Sequence, residues 1–138
     1  MKLISFLHHN IPSYGIVQGD DVLNLTPILG AQAPDLKSLI AHNMLDQAAK
    51  ALASHKPDLK FADLHLLPVI TNPNKIVCVG LNYADHVRET GRELTESPAL
   101  FLRVSESQIG HGQNIVRPPE SNRLDYEGEI AVVIGKGG

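Results

Sequence analysis

The sequence predicts an α+β chain, mostly β, with a small α/β N-terminal domain over 1–70 and the start of a second, β-rich domain over 71–138. Three observations carry this. Short apolar runs separated by turn residues recur from Lys2 to Leu25. Two stretches with helical signals follow, between Asp35 and Ser54. A break marked by Pro68, Asn72 and Pro73 then precedes a new apolar strand at Lys75.

Lys2 to His8 reads as a strand, Tyr14 to Gln18 follows a Pro-Ser turn, and Asp21 to Leu25 follows Gly19-Asp20, residues suited to a hairpin turn. Thr26-Pro27 and Gly30 to Pro34 break the pattern. Asp35 is placed to cap a helix over Leu36 to His42. Leu45 to Ser54 reads as another helix, with Leu45, Ala48, Ala49 and Leu52 on one face. Leu64 to Ile70 is extended, and the first 70 residues alone bury only a thin core. In the second part, the continuous apolar run Lys75 to Gly80 predicts a strand buried on both faces. Asn82 is placed as an N-cap with Asp85 in the first turn, so a helix runs to Thr90 and stops at Gly91. Pro98 to Val104 holds a short strand, Ser105 to Asn114 and Arg117 to Asn122 are loops, and Asp125 to Ile134 is a final strand. An apolar strand running straight into Gly135-Lys136-Gly137-Gly138 leads us to expect a truncated chain.

Composition narrows the function classes. Twelve Lys and Arg against fifteen Asp and Glu give a net charge of −3, which argues against a nucleic-acid binder. No apolar run approaches the roughly 18 residues of a membrane span, so no membrane partner is expected. Met1 to His8 lacks the pattern of a signal peptide, and Cys78 as the lone cysteine fits a reducing cytoplasm.

The final strand is the most informative segment. Side chains alternate along a strand, so Asp125, Glu127 and Glu129 share a face. Glu127 and Glu129 then stand roughly 6–7 Å apart at their Cα atoms, close enough for both carboxylates to reach one cation. Mg²⁺ takes one or two protein carboxylates, leaving positions for water and substrate. A solvated acidic face is the plainer alternative, but Ala131 and Val133 continue the same face and are expected to point inward. His86 and Glu89 form a second pair, side by side on a helix at i and i+3. A carboxylate beside a histidine fixes its tautomer and raises its basicity, as a general base requires. Ordinary surface pairing is the alternative there, with Arg88 and Arg92 as equal partners. Cys78 reads as a core thiol, Arg103 as either an anion contact or a surface residue, and the glycine turn at Gly80 lacks the further glycines of a nucleotide loop.

Taken together, Lys75 to Glu89, with its Gly-Leu-Asn-Tyr-Ala-Asp-His phrase, and Asp125 to Lys136, with its Glu-Gly-Glu core, resemble the hallmark segments of the fumarylacetoacetate hydrolase family. Pro98 to Phe101, Ser105 to Gly112, Ile115 and Pro118 fit the stretch between, so the resemblance covers 73–138. It implies a mixed β-roll catalytic domain, here incomplete, behind a small N-terminal domain, and a homodimer. By the same resemblance Glu127 and Glu129 are metal ligands for Mg²⁺, or Mn²⁺ or Ca²⁺, His86 is the base, and Glu89 completes its dyad. A third ligand, an Asp, and a substrate-binding Lys fall past Gly138 in the family pattern; Arg103-Val104 replaces the frequent Lys-Pro. The implied reaction is hydrolysis of a carbon–carbon bond in a 2,4-dioxo acid of acylpyruvate or fumarylpyruvate type, through a metal-stabilised enolate and a His-Glu activated water. The same enolate supports an isomerase or decarboxylase acting on related oxo-dioic acids. Alternatively, the 138-residue chain is a non-catalytic fragment, and on its own it is expected to be inactive.

Overall fold

The computed structural model describes residues 1–89, 91, 97–135 and 137; Thr90, residues 92–96, Lys136, Gly138 and the side chain of His86 lie outside the described set. Among the described residues the chain is mostly β with a few short helices. It divides into two compact units, Met1–Thr71 together with Ile109–Gly138, and Asn72–Gln108.

The larger unit is built on an antiparallel sheet. Strands β1 (Lys2–His8), β2 (Ile11–Gln18) and β3 (Asp21–Asn24) form consecutive hairpins. His9 and Asn10, at φ 51 and 64, make the first two-residue turn, the pair of left-handed residues that matches strand twist. Gly19, at φ 62, opens the second, as Gly19-Asp20 predicts. The short strands β4 (Leu59–Lys60) and β5 (His65–Leu66) close the two edges, giving the order β4-β3-β2-β1-β5. A single 3₁₀ turn, Phe61–Asp63, links these edge strands.

Alternation along the strands creates the core. Tyr14, Ile16, Leu23 and Leu25 fall on one sheet face and pack with Leu29, Leu36, Leu39, Met44, Ala48 and Ala51 from the helical segment. Phe6 and Val22, fully buried, lie on the opposite face. The helices are α1 (Thr26–Leu29), α2 (Leu36–Ala41) and α3 (Leu45–Ser54). Thr26-Pro27, expected only as a break, starts a helical turn, because proline in the first turn gives up an amide that needs no intrahelical partner. The face of α3 is also shifted: Ala48 and Ala51 are buried while Leu45 is 39% exposed, since the stripe follows Met44 rather than Leu45.

Two measurements check this packing. Asp35 Oδ1 accepts from Ser38 N at 2.7 Å and Ser38 Oγ at 2.6 Å, the cap read from the sequence. Asp35→Ala is expected to cost about 1 kcal/mol in a urea melt. Tyr14 donates its hydroxyl to Ala33 O at 2.7 Å, and burial, reinforced by the Asp35 carboxylate, pushes its pKa up to about 12. The folded state therefore favours the neutral phenol. That stabilisation is complete below the unfolded value near 10 and is lost as pH rises toward 12. A stability profile through this range is expected to fall for the native sequence, and Tyr14→Phe is expected to flatten it.

The smaller unit holds β6 (Ile76–Gly80), α4 (Ala84–Glu89) and β7 (Ala99–Arg103). The two strands pair antiparallel, Ile76 opposite Arg103 and Gly80 opposite Ala99. A 3₁₀ turn over Ser105–Ser107 follows β7. The expectation that β6 is buried on both faces is corrected. Val77 and Val79 are 54% and 42% exposed, because this face of the two-stranded sheet is left open to solvent.

The expected strand Asp125 to Ile134 is corrected as well. No part of it lies in a strand ladder, and Tyr126, Ile130, Val132 and Ile134 are all exposed. A strand exists only through its ladder, and no described segment offers one here, so both faces open to water and Ala131 and Val133 do not point inward.

Candidate functional site

The candidate residues lie on two pieces of chain. In the smaller unit, β6 ends at Gly80 and Leu81 turns the chain toward α4 with φ 57. A non-glycine residue in this region costs about 1 kcal/mol or more, so the Gly-Leu-Asn-Tyr phrase sits on a strained turn. Helix α4 begins at Ala84, with Tyr83 O accepting from Val87 N at 3.0 Å, so the cap falls one residue after the expected Asn82. Its far end matches expectation better: Gly91, at φ 66, bonds back to Arg88 O at 3.1 Å. Val87 is fully buried and anchors the helix.

His86 belongs to α4, one turn before Glu89, and its side chain lies outside the described residues. Glu89 is exposed at the last position of the helix. Arg88, one of the two surface partners weighed for this pair, is bound to Asp85 at 2.6 Å across one turn. The other, Arg92, lies outside the described residues. At the end of β7, Arg103 is committed to its own loop: Nε donates to Ser107 Oγ at 3.2 Å and Nη2 to Ser107 O at 3.3 Å. In the same loop, Glu106 is held below the usual carboxylate range by its own backbone N–H and the Ser105 hydroxyl.

Glu127 and Glu129 lie in the larger unit, both exposed, on the stretch outside any helix or strand. Asp125, which shares their spacing, turns back to accept from Tyr126 N at 2.8 Å. Among the described residues no group of three or more His, Cys, Asp or Glu side chains is arranged to hold a metal. Glu127 and Glu129, both exposed residues, nevertheless carry carboxylate oxygens, the donor class a hard divalent ion takes, in the number Mg²⁺ commonly accepts. The residues present therefore fit such an ion as a partial ligand set.

Sequence reasoning missed a polar contact in the larger unit. Gln113 binds the main chain of β5 and the amide of Gly110, within the stretch Ser105 to Asn114 that the sequence marks only as a loop. The usable signal is a glycine three residues before a long amide side chain, which lets the backbone approach closely enough for that amide to bridge.

Residues 75–138 match the family model described as fumarylacetoacetate (FAA) hydrolase, C-terminal. A Bos taurus protein named oxaloacetate tautomerase FAHD2A, mitochondrial, is 43% identical over 94 residues, covering 68% of this chain and 30% of the relative. A Xenopus laevis protein named oxaloacetate tautomerase fahd2, mitochondrial, is 33% identical over 145 aligned residues, covering the whole chain and 45% of the relative. The chain thus spans less than half of either relative. A crystal structure from Mycobacterium smegmatis, of a protein assigned as HpcE, superposes with a TM-score of 0.65 at 22% identity, over 86% of this chain and 41% of that one. This last likeness establishes the fold. No helix among the described residues is long and apolar enough to cross a membrane. The hallmark segments, the mostly β fold and these matches place the chain, through residues 75–138, in the fumarylacetoacetate hydrolase family, an enzyme family of hydrolase and isomerase type.

Proposed function

We propose that the full-length protein interconverts the enol and keto forms of a 2-oxo dicarboxylic acid of the oxaloacetate type. The observation that carries this reading is the tautomerase name of the 43%-identical relative. It favours the isomerase alternative over the hydrolase reading that the family resemblance first implies.

The residues of this chain divide the work as follows. Glu127 and Glu129 hold Mg²⁺, or Mn²⁺ or Ca²⁺, through their carboxylates. A bound divalent ion supplies Lewis-acid polarisation of the substrate's 2-oxo oxygen. His86, oriented by Glu89, takes the enol hydroxyl proton; the O–H pair becomes the carbonyl π bond, the C=C pair takes a proton from water at carbon 3, and the His86 imidazolium returns its proton to the hydroxide so formed. Atoms and charges balance without an external oxidant or reductant. Leu81 fixes the turn from which α4 presents both residues. Two domains, 1–70 and 71 onward, a homodimer, and a small 2-oxo acid as partner belong to the same reading. So does a reducing cytoplasm, although the vertebrate relatives are named as mitochondrial.

A second reading is favoured by the hydrolase family model itself. There His86 removes a proton from water, which attacks the distal carbonyl of a 2,4-dioxo acid, and the carbon–carbon bond breaks to leave an enol. The two are separated by following oxaloacetate and acetylpyruvate in parallel by ultraviolet absorbance with Mg²⁺. Acceleration of oxaloacetate enol-to-keto conversion with acetylpyruvate intact is the expected result. Consumption of acetylpyruvate to acetate and pyruvate, with no effect on oxaloacetate, would reverse the assignment.

A further inference from the structure

The segment carrying Glu127 and Glu129 meets the N-terminal sheet unit at two glycines. At one end, a Cβ on Gly110 would fall 1.9 Å from Leu66 O, so only glycine lets this backbone settle on β5. At the other, a Cβ on Gly135 would fall 2.8 Å from Ile40 Cγ2. Beside the first contact stands Gln113. Gly110 N donates to its Oε1 at 3.1 Å, and its Nε2 donates to Leu66 O at 2.9 Å. These main-chain partners fix which end of the amide is which, because a flipped amide would set N–H against N–H and oxygen against oxygen. His65 Nε2, 2.9 Å from Gln113 Nε2, must then accept, which places the His65 proton on Nδ1. The clasp grips a strand tied into the sheet: Leu66 pairs with Phe6, which is fully buried, and Leu67 N donates to Ser5 O at 2.9 Å.

We propose that Gln113, with Gly110, is a positioning residue for the carboxylate segment: the clasp on β5 sets where the chain bearing Glu127 and Glu129 leaves the N-terminal sheet. The role rests on the metal reading above, because it acts through those two glutamates. A side chain that spends both its donors and its acceptor on holding a loop to a strand defines the loop's path, and a fixed departure point restricts the space the following carboxylates search.

The test uses the full-length protein, native and with Gln113→Ala, Gln113→Glu or Glu127→Ala. Nitrogen-15 NMR reads the His65 tautomer, hydrogen exchange reads residues 109–135, and electron paramagnetic resonance reads Mn²⁺ affinity. The native protein is expected to show the Nδ1–H form of His65 and Mn²⁺ binding that Glu127→Ala removes. Gln113→Ala is expected to shift that tautomer, speed exchange at Gly110 about three- to tenfold and weaken Mn²⁺ by a similar factor, with β1 to β3 still protected. Gln113→Glu keeps the acceptor for Gly110 N but loses the donor to Leu66 O, and it is expected not to restore affinity. An unchanged tautomer and unchanged exchange in Gln113→Ala would overturn the clasp. Faster exchange with unchanged Mn²⁺ affinity would overturn the positioning role. Equal Mn²⁺ binding by the native protein and Glu127→Ala would overturn the metal reading and the positioning role with it, while the tautomer would still report the clasp.

Discussion

Replacing His86 by alanine is expected to lower turnover of a 2-oxo acid by about 10²–10⁴-fold, the usual contribution of a positioned general base. The neighbouring Val87 is the buried anchor of α4, so the fold is expected to survive the change. Glu89→Gln keeps the shape of the orienting side chain and removes its charge. A smaller loss is expected there, together with a shift of the acid limb of the pH–rate profile, because the carboxylate no longer supports protonation of the imidazole. Arg88, the alternative surface partner of the His86–Glu89 pair, is bound to Asp85, and Arg88→Ala is expected to leave turnover near its native value. A steady-state comparison of the three variants checks this ordering.

The second large effect is expected at the glutamates. Glu127→Ala combined with Glu129→Ala removes both carboxylates of the proposed ligand set. Metal affinity is expected to fall by more than the roughly 10–100-fold that an outer-shell substitution costs, and Mg²⁺ stimulation of turnover is expected to disappear. Both residues are exposed, on a stretch outside any helix or strand. Stability in a urea melt is therefore expected to change by no more than about 0.5 kcal/mol. Lost metal response with unchanged stability distinguishes ligation from a structural role, and a Mg²⁺ titration of activity beside the melt reads both.

Local chemistry made much of this fold legible. The Asp35 cap, the bounds of α3, the Gly19-Asp20 hairpin, β6, β7 and the stop at Gly91 all follow from a few adjacent residues. Failures came where the outcome depends on a distant partner. The run from Asp125 to Ile134 has a strand's composition, yet a ladder needs a second strand, and sequence alternation cannot supply one. Val77 and Val79 look like core residues, but burial is decided by what covers a sheet face. The candidate site divides the same way. The helix bearing His86 and Glu89 is where their spacing puts it. The inward-facing carboxylate pair expected from Ala131 and Val133 is instead exposed, because that inference borrowed a strand partner. Gln113 was missed because its contacts reach back 47 and 48 residues to β5.

Abstraction and return of a proton at the carbon beside a 2-oxo group is common to the tautomerase reading and its nearest alternatives. Proton NMR of oxaloacetate in D₂O, with Mg²⁺ and the full-length protein, measures it directly as deuterium entering carbon 3. The native protein is expected to raise that rate above the buffer rate, and His86→Ala is expected to return it to the buffer rate. A native protein that leaves the exchange rate unchanged, or a His86→Ala variant as fast as the native one, would contradict the assignment of His86 as the base.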